Sequence, residues 1–296
     1  MNGFFCLNKG SDITSFSAVS KVRRIIGSKK AGHTGTLDPM ATGVLPIALG
    51  GASRFINFLP QSEKHYKAHF VTGIKTDTLD ITGTVTESAD KTVFYEDITK
   101  ILPHFTGDIL QTPPMFSAVK KDGVRLYELA RKGQQVERDS RNVRIHEISV
   151  NQVTEKEFSL FVSCSSGTYI RTLISDIGDA LGCLATMTKL TRTYTDGFHI
   201  SESYTLSELE TQKQSGTIGK IIIPTEKALD FHPKVYVTDA QSTRFKNGGE
   251  LFLSRLTIDS SKKYHTVFSP VDEFLGIGEI SLSKSVLEVK KVYNEL

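Results

Sequence analysis

No apolar run in the chain is long enough to cross a bilayer. Stretches such as Val44 to Leu49 and Ile221 to Ile223 fall far short of the roughly 18 to 20 residues a membrane helix needs. The opening residues, Met1 to Cys6, carry no basic segment, and the sequence turns polar at Asn8 and Lys9 before a signal-peptide core could form. A cytoplasmic protein without a membrane partner is therefore expected. Cysteine is scarce: Cys6, Cys164 and Cys183 are an odd number without a C-x-x-C pair, so neither a disulfide framework nor a zinc ribbon is indicated. They read as small buried apolar residues. With only 9 Pro, and with 39% hydrophobic and 23% charged residues, the composition lies away from disordered and collagenous extremes. No internal repeat or low-complexity tract is present.

Net charge is also small, at +3, yet it is not evenly spread. Residues 1–60 carry a net +5 and 115–144 a net +4, whereas 61–114 carry −3, 145–230 carry −4 and 231–296 carry +1. Two basic blocks in an otherwise acidic or neutral chain fit either a polyanion-binding face or solvated helix surfaces.

At 296 residues the chain has room for one large domain, or a large one with a small companion. Phe16, Val19, Val22 and Ile26 recur at helical spacing before Gly27, with Lys21, Arg23 and Arg24 on the remaining face. Tyr66, Ala68 and Phe70 alternate with Lys67 and His69, a half-buried strand. On a strand, His65 and His69 stand about 13 Å apart, which excludes the zinc site that a helical i, i+4 pair would offer. Phe158, Leu160 and Val162 alternate up to Cys164. Ser165-Ser166-Gly167-Thr168 then opens an expected helix whose stripe is Ile170, Leu173, Ile174, Ile177 and Leu181, ending at Gly182. Strand and helix patterns are mixed rather than alternating, so the expected class is α+β. From about 233 the texture changes to short β-like runs, which points to a small β-rich C-terminal domain.

The segment Ala31 to Pro46, AGHTGTLDPMATGVLP, packs polar residues between three glycines and two prolines. It lacks the Gly-Lys-Ser/Thr ending of a phosphate loop and the Gly-x-Gly-x-x-Gly spacing of a dinucleotide fold. Asp38, between Leu37 and Pro39, reads as a turn-forming residue or as a positioned carboxylate.

Gly32-His33-Thr34-Gly35-Thr36-Leu37-Asp38-Pro39-Met40-Ala41-Thr42-Gly43-Val44-Leu45-Pro46 resembles the catalytic motif of the TruB family of pseudouridine synthases, bacterial enzymes that modify uridine 55 of tRNA. Tyr66, Gly73 to Thr78, Gln111 to Lys120 and Ser166 to Arg171 follow in the family's order, and the C-terminal part resembles a PUA domain. The resemblance implies a mixed, largely antiparallel central sheet with flanking helices over 1–232, an RNA-pinching insertion at about 103–145, and a PUA-like RNA-binding domain over 233–296. It implies Asp38 as the essential carboxylate and Arg171 as its bidentate partner. Tyr66 becomes the active-site tyrosine, and His33, Tyr169, Leu190 and Lys9 become substrate or RNA contacts. Without the resemblance, Arg171 reads as a surface arginine and Tyr66 as core.

A carboxylate beside uridine has three routes open to it: addition to C6, an ester at C1′, or removal of a proton from C2′ to give a glycal. The motif holds one carboxylate, not the acid and base pair of an ordinary glycoside hydrolase, which argues against simple base excision. The resemblance further implies a cofactor-free, metal-free monomer acting on the T stem-loop of tRNA without an obligatory protein partner. Two other functions remain open: an RNA chaperone that refolds the tRNA elbow, and a guide-RNA-dependent relative. The family's common Lys-Pro-x-Gly start is replaced here by Leu7-Asn8-Lys9-Gly10, which lacks the proline.

Overall fold

The computed structural model describes residues 1–60 and 63–294; residues 295–296, the end of the expected C-terminal domain, lie outside them. The chain begins with β1 (Gly3–Lys9), α1 (Ser15–Ile26), β2 (Ala31–His33), β3 (Thr42–Leu49) and β4 (Lys64–Thr72). A hairpin of β5 (Ile74–Thr76) and β6 (Val85–Ser88) leads to α2 (Tyr95–Ile101) and β7 (Gly107–Gln111). Next come a short hairpin of β8 (Lys120–Lys121) and β9 (Val124–Arg125), and α3 (Leu126–Arg131). Then β10 (Arg141–Gln152), β11 (Glu157–Cys164), α4 (Ile170–Leu181), β12 (Ala185–Thr195) and β13 (Phe198–His199) complete the large sheet.

That sheet has the order β1-β3-β12-β4-β11-β10-β7, with β2 on β3 and β13 on β12. Its pairings are antiparallel except β12 against β3, which run parallel at Thr191↔Thr42 and Arg192↔Gly43. The expected mixed, largely antiparallel sheet is thus present. Because β4 lies inside it, Tyr66, Ala68 and Phe70 are buried on one face, as their alternation requires. The apolar stripe of α4 covers the core through Ile170, Leu173, Ile174 and Ile177, and the helix stops where Gly182 takes a left-handed φ of 64°. Cys6, Cys164 and Cys183 are free and buried, as expected.

Two local expectations are corrected. Phe16 is 79% exposed and is not part of the apolar face of α1, which instead buries Ser15, Ala18, Val19 and Val22. The cause is Ser15, whose hydroxyl bonds both the N–H and the C=O of Leu37 and so sets the helix phase that turns Phe16 outward. The helix expected to open at Ser165 to Thr168 begins at Ile170. Gly167 has a left-handed φ of 90°, and the Thr168 hydroxyl closes a turn onto Ser165 O.

Within 103–145, β7 and the start of β10 are sheet strands, so the excursion from the sheet is 112–140. After α5 (Leu206–Gln214) and α6 (Thr225–Ala228), the C-terminal part forms β14 (Lys234–Tyr236), α7 (Asp239–Lys246), β15 (Leu251–Phe252), β16 (Tyr264–Phe268), β17 (Phe274–Ser281) and β18 (Val286–Val292). These strands make a five-stranded sheet of order β14-β16-β17-β18-β15. It is not isolated: Phe274 and Ile277 share an apolar cluster with Phe4, Phe55 and Phe198 of the preceding part. Among the described residues, no helix is long and apolar enough to cross a membrane.

Candidate active site

The loop between β2 and β3 carries Asp38 and is tied down along its length. Ser15 holds Leu37 by two hydrogen bonds of 2.9 and 3.0 Å, and Leu37 itself is buried. The Ala41 N–H donates to Asp38 O at 3.1 Å, closing a turn, and the Thr34 N–H donates to Pro46 O at 3.2 Å. Arg192, with no exposed surface, donates from Nε to Val44 O at 2.8 Å and from Nη2 to Gly35 O at 3.1 Å. Gly43 lets β12 come this close. Its φ is +98°, and a Cβ there would stand 2.2 Å from Arg192 O.

Lys9 also braces this loop. Its Nζ donates to the carbonyls of Gly10, Ile13 and Pro39 at 2.9, 2.8 and 3.0 Å, which satisfies all three ammonium donors. With 0% of its surface exposed, it stands here as a buried brace of the loop, although it was expected among the RNA contacts. Burial pulls its pKa down to about 8, against the upward pull of Asp38 and Asp12.

Asp38 meets Arg171 as expected. The contact is Arg171 Nε to Asp38 Oδ2 at 3.0 Å. The remaining guanidinium nitrogens are taken up elsewhere: Nη1 donates to Thr78 O at 2.8 Å and lies 3.5 Å from Asp80 Oδ2, and Nη2 donates to Phe116 O at 2.9 Å. Far from being a surface residue, Arg171 has a side chain only 5% exposed. A buried guanidinium needs this full set of acceptors.

Asp80 is equally fixed, since its Oδ1 accepts from the Thr78 hydroxyl, the Thr82 N–H and the Thr82 hydroxyl at 3.0, 3.0 and 2.5 Å. Protein surrounds Asp38 closely even though its side chain, 37% exposed, reaches solvent through the cleft. Burial raises its pKa, Asp80 raises it further, and Arg171 and Lys9 pull it back.

The cleft above this pair is lined by Thr36, Leu37, Asp38, Tyr66, Thr168, Tyr169, Ile170, Arg171 and Leu190. Its volume of about 100 Å³ is room for several waters, and hence for one small planar group rather than a helix. Asp38, Tyr66, Tyr169, Arg171 and Leu190, expected together, are thus brought together. His33 lies outside the lining, at the end of β2. Burial and Arg192 lower its pKa, so its ring is neutral near pH 7. The Tyr66 hydroxyl is raised by burial and partly held back by Arg192. Tyr169, at the start of α4, is clamped by Gln111: its N–H donates to Oε1 at 2.7 Å and its C=O accepts from Nε2 at 3.0 Å.

Asp80, Thr78, Arg192 and the role of Gln111 were not singled out by the sequence. The nearest signal is the run Thr76-Asp77-Thr78-Leu79-Asp80-Ile81-Thr82, where threonines two residues either side of Asp80 suit local side-chain hydrogen bonds. His65 and His69 face separate acids, Glu63 at 3.2 Å and Glu157 at 3.5 Å. Outside the cleft, Lys21, Arg23, Arg24, Lys29 and Lys30 are exposed, as are Lys120, Lys121, Arg125, Arg131 and Lys132.

Residues 23–170 match a family model described as TruB family pseudouridylate synthase (N terminal domain), and 171–230 match one described as tRNA pseudouridylate synthase B C-terminal domain. The chain is 42% identical over 282 residues to a tRNA pseudouridine synthase B of Clostridium kluyveri, covering 94% of this chain and 95% of that one. It is 38% identical over 292 residues to the protein of the same name from Pseudomonas putida, covering 95% and 92%. Among solved structures it resembles a chain of a Cbf5-Nop10-Gar1 complex, with TM-score 0.75, 27% identity, and coverage of 99% of this chain and 85% of that one. A chain of an H/ACA RNP bound to a substrate RNA containing 2′-deoxyuridine is also similar, with TM-score 0.74, 25% identity, and coverage of 99% and 85%.

Proposed function

The chain belongs to the TruB family of pseudouridylate synthases, and from that premise we propose that it isomerises uridine 55 in the T loop of tRNA to pseudouridine. It is a tRNA pseudouridine synthase; the position it modifies and the roles of its residues are our reading. The observation that carries this reading is the Asp38–Arg171 contact at 3.0 Å on the wall of a small cleft closed by Tyr66, Tyr169 and Leu190.

Only a single base fits such a cleft, so the uridine must leave its stack, at a cost of a few kcal/mol that is least in a loop. Tyr66 and Tyr169 supply aromatic surface to the extruded base, Leu190 lines its pocket, and neutral His33 enters the gap the base leaves. The C1′–N1 bond breaks, the base turns, and C5 bonds to C1′. The proton on C5 departs, with the Tyr66 hydroxyl as its relay, and N1 ends protonated. Asp38 acts as an anion by adding to C6, by forming an ester at C1′, or by taking the C2′ proton, while Arg171 keeps it charged and aimed. No step calls for a cofactor.

The exposed basic residues of α1 and of 112–140 contact phosphates, and the C-terminal sheet adds a PUA-like RNA-binding surface. The protein acts as a cytoplasmic monomer. The test is purified chain with a bare T stem-loop, read by carbodiimide mapping. Pseudouridine at position 55, and none in RNA carrying cytidine there, is the expected result; modification elsewhere overturns the assignment.

One second reading has an observation behind it, the likeness to a chain of an H/ACA ribonucleoprotein structure. A guide-dependent enzyme would leave the bare stem-loop unmodified, whereas the basic excursion of 112–140 favours recognition without a guide. A chaperone role beyond modification predicts that an Asp38→Asn protein still accelerates tRNA folding.

A further inference from the structure

The excursion of 112–140 leaves the sheet after Gln111 and returns at Arg141, and those two residues are paired across β7 and β10. Just above that pair its two limbs are joined twice. The hydroxyls of Thr112 and Ser140 stand 2.8 Å apart, and Arg138 Nη1 donates to Pro113 O at 3.0 Å. Arg138 Nε is buried and has no hydrogen-bond partner among the described residues. The guanidinium is thus turned in against the base of the excursion, unlike the exposed Lys120, Arg125 and Lys132 of its tip.

From Pro113 the connection runs to the catalytic carboxylate in a few steps. Phe116 follows Pro113 by three positions, and its C=O accepts from Arg171 Nη2 at 2.9 Å. Pro113 and Pro114 are both buried, and each ring fixes its own φ, so the segment between the two carbonyls passes on a displacement rather than absorbing it. Arg171 Nε in turn stands 3.0 Å from Asp38 Oδ2.

The tip is tied into the same segment. The Tyr127 N–H of α3 donates to Ser117 O at 3.1 Å, on the residue after Phe116. Lys121 Nζ donates to Glu137 O at 2.5 Å, on the residue before Arg138.

We propose that Arg138 is a positioning residue for the isomerisation: it pins Pro113 so that the Phe116 carbonyl holds Arg171, and through Arg171 the Asp38 carboxylate, in the orientation the reaction uses. The proposal rests on the reading of the cleft as a uridine site and gives the excursion a role beyond contacting phosphates. Holding the RNA and aiming the carboxylate share one set of hydrogen bonds.

The experiment compares the intact protein with Arg138→Met, which keeps the length of the side chain and removes its donors, and with Arg138→Lys, which restores one donor for Pro113 O. Single-turnover pseudouridine formation is followed at saturating T stem-loop RNA from pH 4 to 8, with affinity measured on the same samples. Arg138→Met is expected to lower the saturated rate about tenfold, a fraction of the roughly hundredfold effect of a 1 Å misplacement. Arg171 and Lys9 pull the Asp38 pKa down against burial and Asp80, so a loosened Arg171 moves the acid limb up. Arg138→Lys is expected to recover most of the rate and to return the limb. Thr112→Val, which keeps its shape and loses only the contact with Ser140, is the second variant should Arg138→Met fail to fold, and it shifts both readings in the same direction. A loss that vanishes at saturating RNA, or an acid limb that stays at the parent position, overturns the positioning role. Absence of pseudouridine with the intact protein counts instead against the functional reading.

Discussion

Arg171 Nε stands 3.0 Å from Asp38 Oδ2, while its two terminal nitrogens are held by Thr78, Phe116 and Asp80. The arginine is therefore part of the frame as well as the partner of the carboxylate. Lysine supplies one compact charge without a fork and cannot serve all four groups. Arg171→Lys is expected to lower single-turnover pseudouridine formation about a hundredfold, the scale of a 1 Å misplacement, with RNA affinity nearly unchanged. A loss confined to affinity contradicts this role.

The pH dependence follows from what surrounds Asp38. In the proposed mechanism the reaction needs its anion, and its folded pKa is raised by burial and by Asp80, so the acid limb of the rate profile is expected above the ordinary carboxylate range. Removing the Asp80 charge with Asp80→Asn moves that limb down while loosening Arg171 and slowing the reaction. An upward shift in a rate–pH series contradicts the assigned charges.

The same raised pKa has a consequence for stability. A carboxyl whose folded pKa exceeds its unfolded value stabilises the fold below the unfolded pKa, and loses that contribution as pH rises through the folded one. Asp38→Asn, always neutral, is therefore expected to melt higher than the parent at neutral pH. Its advantage disappears in acid. Thermal melts of the two proteins from pH 3 to 8 check the sign.

Gln111 closes a two-point ring with the peptide of Tyr169, two residues before Arg171. Gln111→Leu keeps the bulk and removes both bonds, so Tyr169 and Arg171 shift together. The expected effect is a fall in kcat of about a hundredfold with KM little changed, and an acid limb moved upward as Arg171 releases Asp38. An unmoved acid limb reduces Gln111 to a packing residue.

Much of this was legible in the sequence where the pattern is local. Alternation at Tyr66, Ala68 and Phe70 gave the buried strand β4, and the stripe ending at Gly182 gave α4. The cleft residues Asp38, Tyr66, Tyr169, Arg171 and Leu190 came from motif resemblance, and the fold does assemble them. What escaped depends on contacts between distant segments. The phase of α1 is set by Ser15 reaching Leu37, so Phe16 looked like core. The acceptors of Arg171 come from the turn after β5 and from Phe116, with no period linking them. Lys9 sat on a strand near the motif, but only the three carbonyls around its Nζ reveal it as a brace.

The central claim is that the Asp38 carboxylate performs the isomerisation. The most direct measurement is single-turnover pseudouridine formation at position 55 by Asp38→Asn, with protein in excess over a T stem-loop and binding measured on the same samples. The account predicts parent-like RNA affinity and no pseudouridine. Conversion at the parent rate by RNA-bound Asp38→Asn would contradict it.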